Sequence, residues 1–412
     1  MEDIYVIGIG GTRLGKFPDR SVKDLTREAV GAALSDAGID RADLDAAWFS
    51  NVRQGQMEGQ NSIRGQCALH AAGVTGLPIV NVENACASST TGLMSAFAYL
   101  RGGLGEVALV AGADKLFFPE KKELMTTAFL GGLDIHRQDE MRQTIQALQD
   151  VTPLPHCIED GGKGTIFMEI YAALARHHMY RHGTTARQIA AVAAKNHFHS
   201  TMNPLAQYRK DMSVDEVLAD MVISWPLTRS MCAPMSDGAA SVILCTGSAL
   251  KRFEDARPVR LAGVGLCSGT DRDPRGDEPS VTRRAAAQAY DMAGVGAADI
   301  DLAELHDATA FAELAIMEHL DFCAKGEAGH QAETGVTRLG GKRPINTSGG
   351  LLSKGHPPGA TGVMMVHEIV TQLRGEAGAR QVENARFGMV ENGGGFGTTE
   401  EAAAVVAILE RA

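Results

Sequence analysis

The chain alternates short apolar runs with longer stretches in which apolar residues recur at helical spacing. Tyr5 to Ile9, Ala46 to Ser50 and Val107 to Ala111 read as strands, and the apolar run Leu77 to Val82 leads through a small-residue turn into an amphipathic stretch ending near Arg101. The segment Thr26-Arg-Glu-Ala-Val-Gly-Ala-Ala-Leu-Ser-Asp-Ala reads as a helix closed by Gly38, the residue best suited to a left-handed cap. The same pattern returns as Thr282-Arg-Arg-Ala-Ala-Ala-Gln-Ala-Tyr-Asp-Met-Ala, closed by Gly294 and flanked by strand-like Val259 to Val264 and Leu302 to His306. A helix ending Leu373-Arg-Gly matches the one ending Leu100-Arg-Gly, and Arg386 to Val390 then stands where Val107 to Ala111 stood. The chain therefore reads as a diverged duplication of one α/β unit, and its alternation of strands and helices predicts layers built on largely parallel sheets.

One segment breaks the repeat. From Leu116 to about Ser230 the chain is rich in Met, His, Arg and Gln, with helix-like Phe167 to Arg181 and Ala186 to His197, before strand-like Ala239 to Cys245 resumes the first half. The expected division is 1–115 for the first part of the N-terminal half, 116–230 for an inserted loop domain, 231–250 for the last strand of that half and 251–412 for the C-terminal half. Long insertions of this kind usually shape substrate pockets.

Composition narrows the function. With 412 residues, 44% of them hydrophobic, the chain can bury one large core or two ordinary ones. A formal net charge of −11 argues against a nucleic acid or an anionic membrane as main partner. Seven scattered cysteines (Cys67, Cys86, Cys157, Cys232, Cys245, Cys267, Cys323), an odd number without a CxxC pair, suit a reducing compartment and suggest no metal site. The N-terminus enters a strand directly and no apolar run approaches the length of a membrane span, so the expected location is the cytoplasm.

The chemistry begins at Cys86, in Asn84-Ala-Cys-Ala-Ser-Ser-Thr-Thr-Gly-Leu-Met. That setting puts a thiol at a helix N-terminus, where free backbone N–H groups and the macrodipole favour a thiolate, the nucleophile that acyl transfer needs. Three further segments carry polar chemistry: Glu304-Leu-His-Asp-Ala-Thr at a strand end, Asn346-Thr-Ser-Gly-Gly-Leu-Leu-Ser-Lys-Gly-His-Pro-Pro-Gly-Ala-Thr-Gly, and Glu391-Asn-Gly-Gly-Gly-Phe-Gly near the C-terminus.

Together with Asp237-Gly-Ala-Ala and Phe322-Cys-Ala-Lys-Gly-Glu, these segments resemble the thiolase superfamily over nearly the whole chain, especially the sterol-carrier-protein-X type thiolases and their bacterial and archaeal relatives. The resemblance implies an α/β class protein with the duplicated thiolase fold, five layers αβαβα with two mixed sheets and a large loop-domain insertion. It also implies roles: Cys86 as nucleophile, His306 in the family's His-Asp-Cys-Phe loop and His356 in its Gly-His-Pro loop. The N–H groups of Cys86 and of the loop Asn392, Gly393, Gly394 and Gly395 would form the oxyanion hole. An imidazole in a rigid turn is a suitable base for a thiol, and an N–H donor at His306 would hold a thioester oxygen as charge develops on it. Asp307 is assigned to orienting loops.

The chain also departs from the pattern. Degradative thiolases use a second cysteine at the substrate's α carbon, and here Ala308 occupies one of its two family positions, followed by Thr309 in place of the usual phenylalanine. Either His306, His356 or Glu391 serves as that base, or the reaction is not an ordinary thiolysis; burial in an apolar pocket would raise the Glu391 pKa into a useful range. The leading expectation is a thiolase-type acyl-CoA acyltransferase that passes an acyl-Cys86 intermediate to coenzyme A, or runs the reverse Claisen condensation. Coenzyme A is then a substrate or product, with no covalently bound cofactor, and Arg209 and Lys210 are candidates for its phosphates. One alternative is a carbon-carbon lyase or carbon acyltransferase working with an OB-fold acyl-CoA-binding partner. Another is an acyl-CoA or lipid carrier with an inactive site. The resemblance further implies a homodimer or tetramer acting in lipid metabolism.

Overall fold

The computed structural model describes residues 2–149, 164–397 and 399–412, with the Thr126 side chain outside that set. In chain order the strands are β1 (Ile4–Gly11), β2 (Ala46–Ser50), β3 (Ile79–Val82), β4 (Val107–Asp114), β5 (Val222–Ser224), β6 (Leu227–Thr228), β7 (Gly238–Thr246), β8 (Val259–Ser268), β9 (Leu302–Leu305), β10 (Phe387–Phe396) and β11 (Glu401–Arg411). The helices that matter here are α1 (Val22–Ala37), α2 (Ser88–Arg101), α3 (Ile166–His182), α4 (Ala186–Ser200), α5 (Val281–Ala293), α6 (Ala310–His319) and α7 (Pro358–Leu373).

Nine strands form one ladder in the order β3-β2-β4-β7-β1-β8-β11-β10-β9, and β5 and β6 form a separate hairpin. The duplication shows in that order. β3-β2-β4-β7-β1 is mirrored by β9-β10-β11-β8, with an isolated parallel bridge from Ala303 to Ile345 standing where β3 stands in the first half. The two mixed sheets expected from the family meet at their edges through Tyr5 opposite Arg260 and Val6 opposite Val259, which makes them continuous. The expectation of largely parallel pairing is corrected: β2–β3, β2–β4 and β9–β10 are parallel, and the other five neighbouring pairs are antiparallel. Alternating apolar segments indicate layers covered on both faces but carry no information on strand direction. All residues of β4 and β7 are buried, as such covering requires.

The outer helices arise from the repeated sequence. α1 packs on β1 and β7, and α5 packs on β8 and β11. Ser21 and Ser280 cap their N-termini and the expected glycines, Gly38 and Gly294, close them in the left-handed conformation. Both helices lie so close to their strands that a methyl group at Gly10 would sit 2.2 Å from the Ala29 carbonyl oxygen, and one at Gly265 would sit 2.1 Å from that of Ala285. The duplication thus extends to backbone contact.

The middle layer is α2 and α7, which pack on each other and between the two halves of the ladder. The Val363 N–H donates to Ser89 Oγ at 3.1 Å, pinning the second helix across the first. The inserted segment adds α3, α4 and the β5–β6 hairpin, and its apolar residues share one core with α5, α6 and β11 of the second half. Six of the seven cysteines are described and all six are free; Cys157 lies outside the described residues. Among the described residues no helix is long and apolar enough to cross a membrane.

Candidate active site

Both halves of the duplication deliver loops to one place. At the first, the chain turns sharply between β3 and α2: the Asn84 N–H donates to Ser88 Oγ at 2.8 Å, the Ala87 N–H to the Asn84 carbonyl at 3.0 Å, and the Ala85 N–H to Glu83 Oε1 at 2.7 Å. Ala85 is held at φ 47°, a strained conformation for a residue with a Cβ, and the following residue, Cys86, is presented just ahead of the first turn of α2.

His306 directly follows β9 and His356 sits in the turn that opens α7. The Cys86 sulfur and a ring nitrogen of each histidine all lie within 4.8 Å of one another. The two rings meet edge to face with centroids 5.3 Å apart. This is also the one group of His, Cys, Asp or Glu side chains among the described residues close enough to hold a metal ion.

His356 is fixed from two sides. Its backbone N–H donates to Ser236 Oγ at 2.9 Å, and its Nδ1 lies 2.7 Å from Thr361 Oγ1, whose hydroxyl reaches the Pro357 carbonyl at 2.9 Å. The tautomer that makes both bonds carries its proton on Nδ1 and leaves Nε2 with a lone pair, as a base requires. Burial, the neighbouring His306 and the cations Arg53 and Lys354 hold His356 well below the usual histidine range, so it rests neutral. His306 is buried and neither ring nitrogen has a hydrogen-bond partner among the described residues, while burial brings its pKa down to about 4. Buried polar atoms without partners are rare and commonly mark the place of a ligand.

The ionised Cys86 expected from the helix end is overturned. Burial pushes the thiol up to about 12, and the Arg53 charge and the Gly395 backbone N–H at the sulfur do not offset it, with Asp114 and Glu83 pushing the same way as burial. The resting pair is a neutral thiol beside a neutral imidazole, so deprotonation belongs to the attack itself.

The glycine loop is part of a strand. Gly393 and Gly394 pair with Ala404 and Ala403 within the β10–β11 hairpin, although glycine clusters are read from sequence as loops. A methyl at Gly394 would lie 2.2 Å from the Asn84 carbonyl oxygen, so this strand touches the nucleophile's turn. Asn392 points elsewhere: its Oδ1 accepts from Thr90 Oγ1 of α2 at 3.0 Å. Glu391 is likewise behind the site, its carboxyl accepting from Thr282 Oγ1 at 3.0 Å and from the His306 N–H at 3.3 Å, with burial and the charge of Glu401 raising its pKa to about 8.

A cavity of about 450 Å³ opens over the three side chains. Its floor is Cys86, His306, His356, Gly394 and Gly395, and its walls are largely apolar: Met125, Phe129, Phe167, Met168, Tyr171, Ile223, Met235 and Phe396. Arg53, Tyr171, Cys232 and Glu401, with Lys16, Thr165, Tyr208 and Arg229, are polar or ionisable residues of this lining to which sequence reasoning assigned no role. Arg53 and Tyr171 share the cavity lining with Cys86; Glu401 packs against Gly393, where a methyl would meet its Cγ at 2.9 Å and His306 Nδ1 at 3.4 Å; and Cys232 is bridged to Thr309, its thiol bonded to the Thr228 carbonyl at 3.4 Å. Glu391 is absent from this lining, and Arg209 and Lys210 are exposed next to Tyr208, which belongs to it. The signal for Glu401 was available: a strand, a glycine-rich turn and a second strand predict a hairpin that folds Glu401 back across Gly393.

Residues 4–217 match the thiolase N-terminal domain and residues 276–411 the thiolase C-terminal domain-like family. The chain belongs to the thiolase family and is an acyltransferase of that family. It is 36% identical over 404 residues to the acetyl-CoA acetyltransferase of Methanothermobacter thermautotrophicus, covering 97% of this chain and 98% of that one. It is 32% identical over 405 residues to sterol carrier protein 2 of Bos taurus, covering 94% of this chain and 69% of that protein. Among solved structures, the Ltp2-ChsH2(DUF35) aldolase superposes with a TM-score of 0.76 at 23% identity, over 99% of this chain and 97% of that one, a likeness of fold.

Proposed function

We propose that the protein cleaves 3-ketoacyl-CoA by thiolysis, or runs the reverse Claisen condensation, through an acyl-Cys86 intermediate. The observation that carries this reading is the convergence of Cys86, His306 and His356 within 4.8 Å on the floor of an apolar cavity. His356 Nε2 takes the thiol proton as sulfur bonds to the C3 carbonyl carbon, while His306 and the backbone N–H groups of the glycine strand stabilise the charge arriving on oxygen. The C2–C3 bond then breaks, its electron pair stays on C2 and a proton must reach that carbon. Glu401 is the carboxyl on the cavity, and burial raises its pKa, which favours the protonated form and makes it the better proton donor to that carbon. Coenzyme A next attacks the acyl group and gives its thiol proton to Glu401, and the departing Cys86 sulfur regains the proton held by His356.

The test is intact-mass spectrometry of the protein after exposure to acetyl-CoA and acetoacetyl-CoA. A gain of one acyl group on the wild type, absent in Cys86→Ala, is expected together with loss of turnover in that variant; retained turnover in Cys86→Ala would sink the reading.

A second reading, a carbon-carbon lyase or carbon acyltransferase with an OB-fold acyl-CoA-binding partner, is favoured by one observation: Ala308 lines the cavity where relatives of the degradative type carry a thiol. The solved Ltp2-ChsH2(DUF35) aldolase has this fold, and its name pairs it with a second, DUF35 component. Co-purification of a small acyl-CoA-binding protein would favour this reading over the first. In either case we place the adenine-nucleotide end of coenzyme A near Arg209 and Lys210, and expect a cytoplasmic homodimer or tetramer.

A further inference from the structure

Arg53 is a cation without a counter-ion in the wrong place to be ornamental. It follows β2, is 5% exposed, and stands on the cavity wall with Cys86. Its contacts are with neutral groups: Nη1 donates to the Ala128 carbonyl and, at 3.2 Å, to Gln56 Oε1, and the Phe129 ring lies 5.3 Å from the guanidinium carbon. Among the described residues no carboxylate pairs with it. The Arg53 charge acts on Asp114, but that carboxylate's oxygens are taken by the backbone N–H groups of Val52, Arg53 and Gly359 and by Asn51 Nδ2.

The free part of the group has a direction. Nε is buried without an acceptor, and Nη2 likewise finds none among the described residues, so the two donors on one side of the guanidinium fork are unpaired. That side is next to Gly132, where a methyl would lie 3.4 Å from Nη2, and Gly132 lines the cavity. Two parallel N–H donors on a planar, permanently charged group match the two oxygens of a carboxylate. A buried arginine cannot shed its proton, so an unpaired one is costly unless an anion arrives. The phosphates of coenzyme A are at the far end of that molecule from its thioester, whereas Arg53 shares the cavity with the sulfur that receives the acyl group, and its charge reaches that sulfur.

We propose that Arg53 binds a carboxylate carried on the acyl portion of the substrate, so that the preferred substrates are acyl-CoA thioesters of dicarboxylic acids. The proposal rests on the thiolase reading of the same cavity.

The experiment uses the full-length protein and a series of 3-oxoacyl-CoA thioesters of six to ten carbons, each in two forms that differ in a terminal methyl or a terminal carboxylate. For the wild type, kcat/KM is expected to favour the carboxylate at one or more lengths by roughly ten- to a hundredfold, the worth of a charged hydrogen-bonded pair. In Arg53→Met that ratio collapses towards one or inverts, and in Arg53→Lys it is partly kept. Equal ratios in wild type and Arg53→Met, with both substrates slowed together, would overturn the proposal and leave Arg53 as a cation serving Cys86 alone. A second measurement needs no variant: glutarate should protect wild-type Cys86 from alkylation at concentrations where butyrate does not, and equal protection overturns the proposal. Failure of every thioester to acylate wild-type Cys86 would instead remove the thiolase reading itself.

Discussion

At the scale of single residues, the site works by burying groups that would ionise in water. Cys86 held up to about 12 and His356 held well below its usual range mean that neither is charged before substrate binds. Alkylation of the free enzyme by iodoacetamide should therefore keep rising about tenfold per pH unit through pH 9, since the thiolate fraction of a thiol with so high a pKa is still growing there. A plateau at or below pH 8.5 would show an ion pair formed in advance. The carboxyl group of Glu401 gives the second residue-scale prediction. Glu401→Gln keeps the shape but can neither release nor accept the C2 proton, so 3-ketoacyl-CoA cleavage should slow by roughly 10²- to 10⁴-fold while acetyl-CoA still acylates Cys86. If cleavage is unchanged in Glu401→Gln and falls instead in Cys232→Ser, the Cys232 thiol on the cavity lining is the acid. Cys86, His306 and His356 were legible because each is embedded in a motif of unusual small residues. Arg53 was not, since an arginine in a loop ordinarily marks a solvated surface and its burial is reached only through the tertiary fold, while Glu401 was legible only through the hairpin that folds it across Gly393.

At the scale of elements, the histidine loops are held in register by a carboxylate between them. Asp307 Oδ1 accepts from the Leu351 N–H at 2.6 Å and Oδ2 from Asn196 Nδ2 at 2.7 Å, which joins the end of β9 to the turn leading to His356 and to α4 of the insertion. Behind it, Lys195 and Glu313 form an ion pair that is almost wholly buried, with Lys195 Nζ also on the Ile345 carbonyl at 2.8 Å. Gly350 makes the close approach possible: it has φ 60°, and a methyl there would be 2.1 Å from Asp307 Oδ2. Gly350→Ala should therefore displace the loops relative to each other and cut kcat by about 10²-fold, as small misplacements of catalytic groups do. Its thermal midpoint should fall by only a few degrees, because the change removes no core side chain. An unchanged kcat would show that Asp307 has no bearing on the histidines. The repeated helices and their glycine caps could be read in the sequence because they depend on local spacing. The joining of β1 to β8 could not, since two residue pairs some 250 positions apart leave no periodic trace, and the strand character of Gly393 and Gly394 was hidden because a partner strand, not propensity, imposes it.

At the scale of the whole molecule, the ladder has one end that is poorly closed. β9 is backed by the bridge to Ile345, but β3 pairs with β2 alone, and Val80 and Asn81 at its centre are exposed, Val80 by 44%. Close by in sequence, Ile63 combines 59% exposure with φ 49°, an unfavourable conformation for a β-branched side chain in water. Soluble proteins usually protect an apolar edge with charge, proline or a bulge, and β3 carries none of these in Ile79–Val82. Apart from the Ile79 carbonyl, which accepts from Gln66 Nε2 at 3.2 Å, its edge N–H and C=O groups suit an antiparallel pairing with the same strand of a second copy, which would make a two-fold interface through the first half of each chain. Light scattering of the wild type should then give about twice the 43.6 kDa of one chain or a larger even multiple. Val80→Lys, which places a charge at the centre of that pairing, should shift the population towards monomer and make the thermal midpoint depend on protein concentration. The nucleophile's turn begins two residues after β3, at Asn84, so loosening this edge should also lower kcat; a monomeric wild type, or a Val80→Lys variant that keeps both its mass and its activity, would place any assembly of this protein on another face.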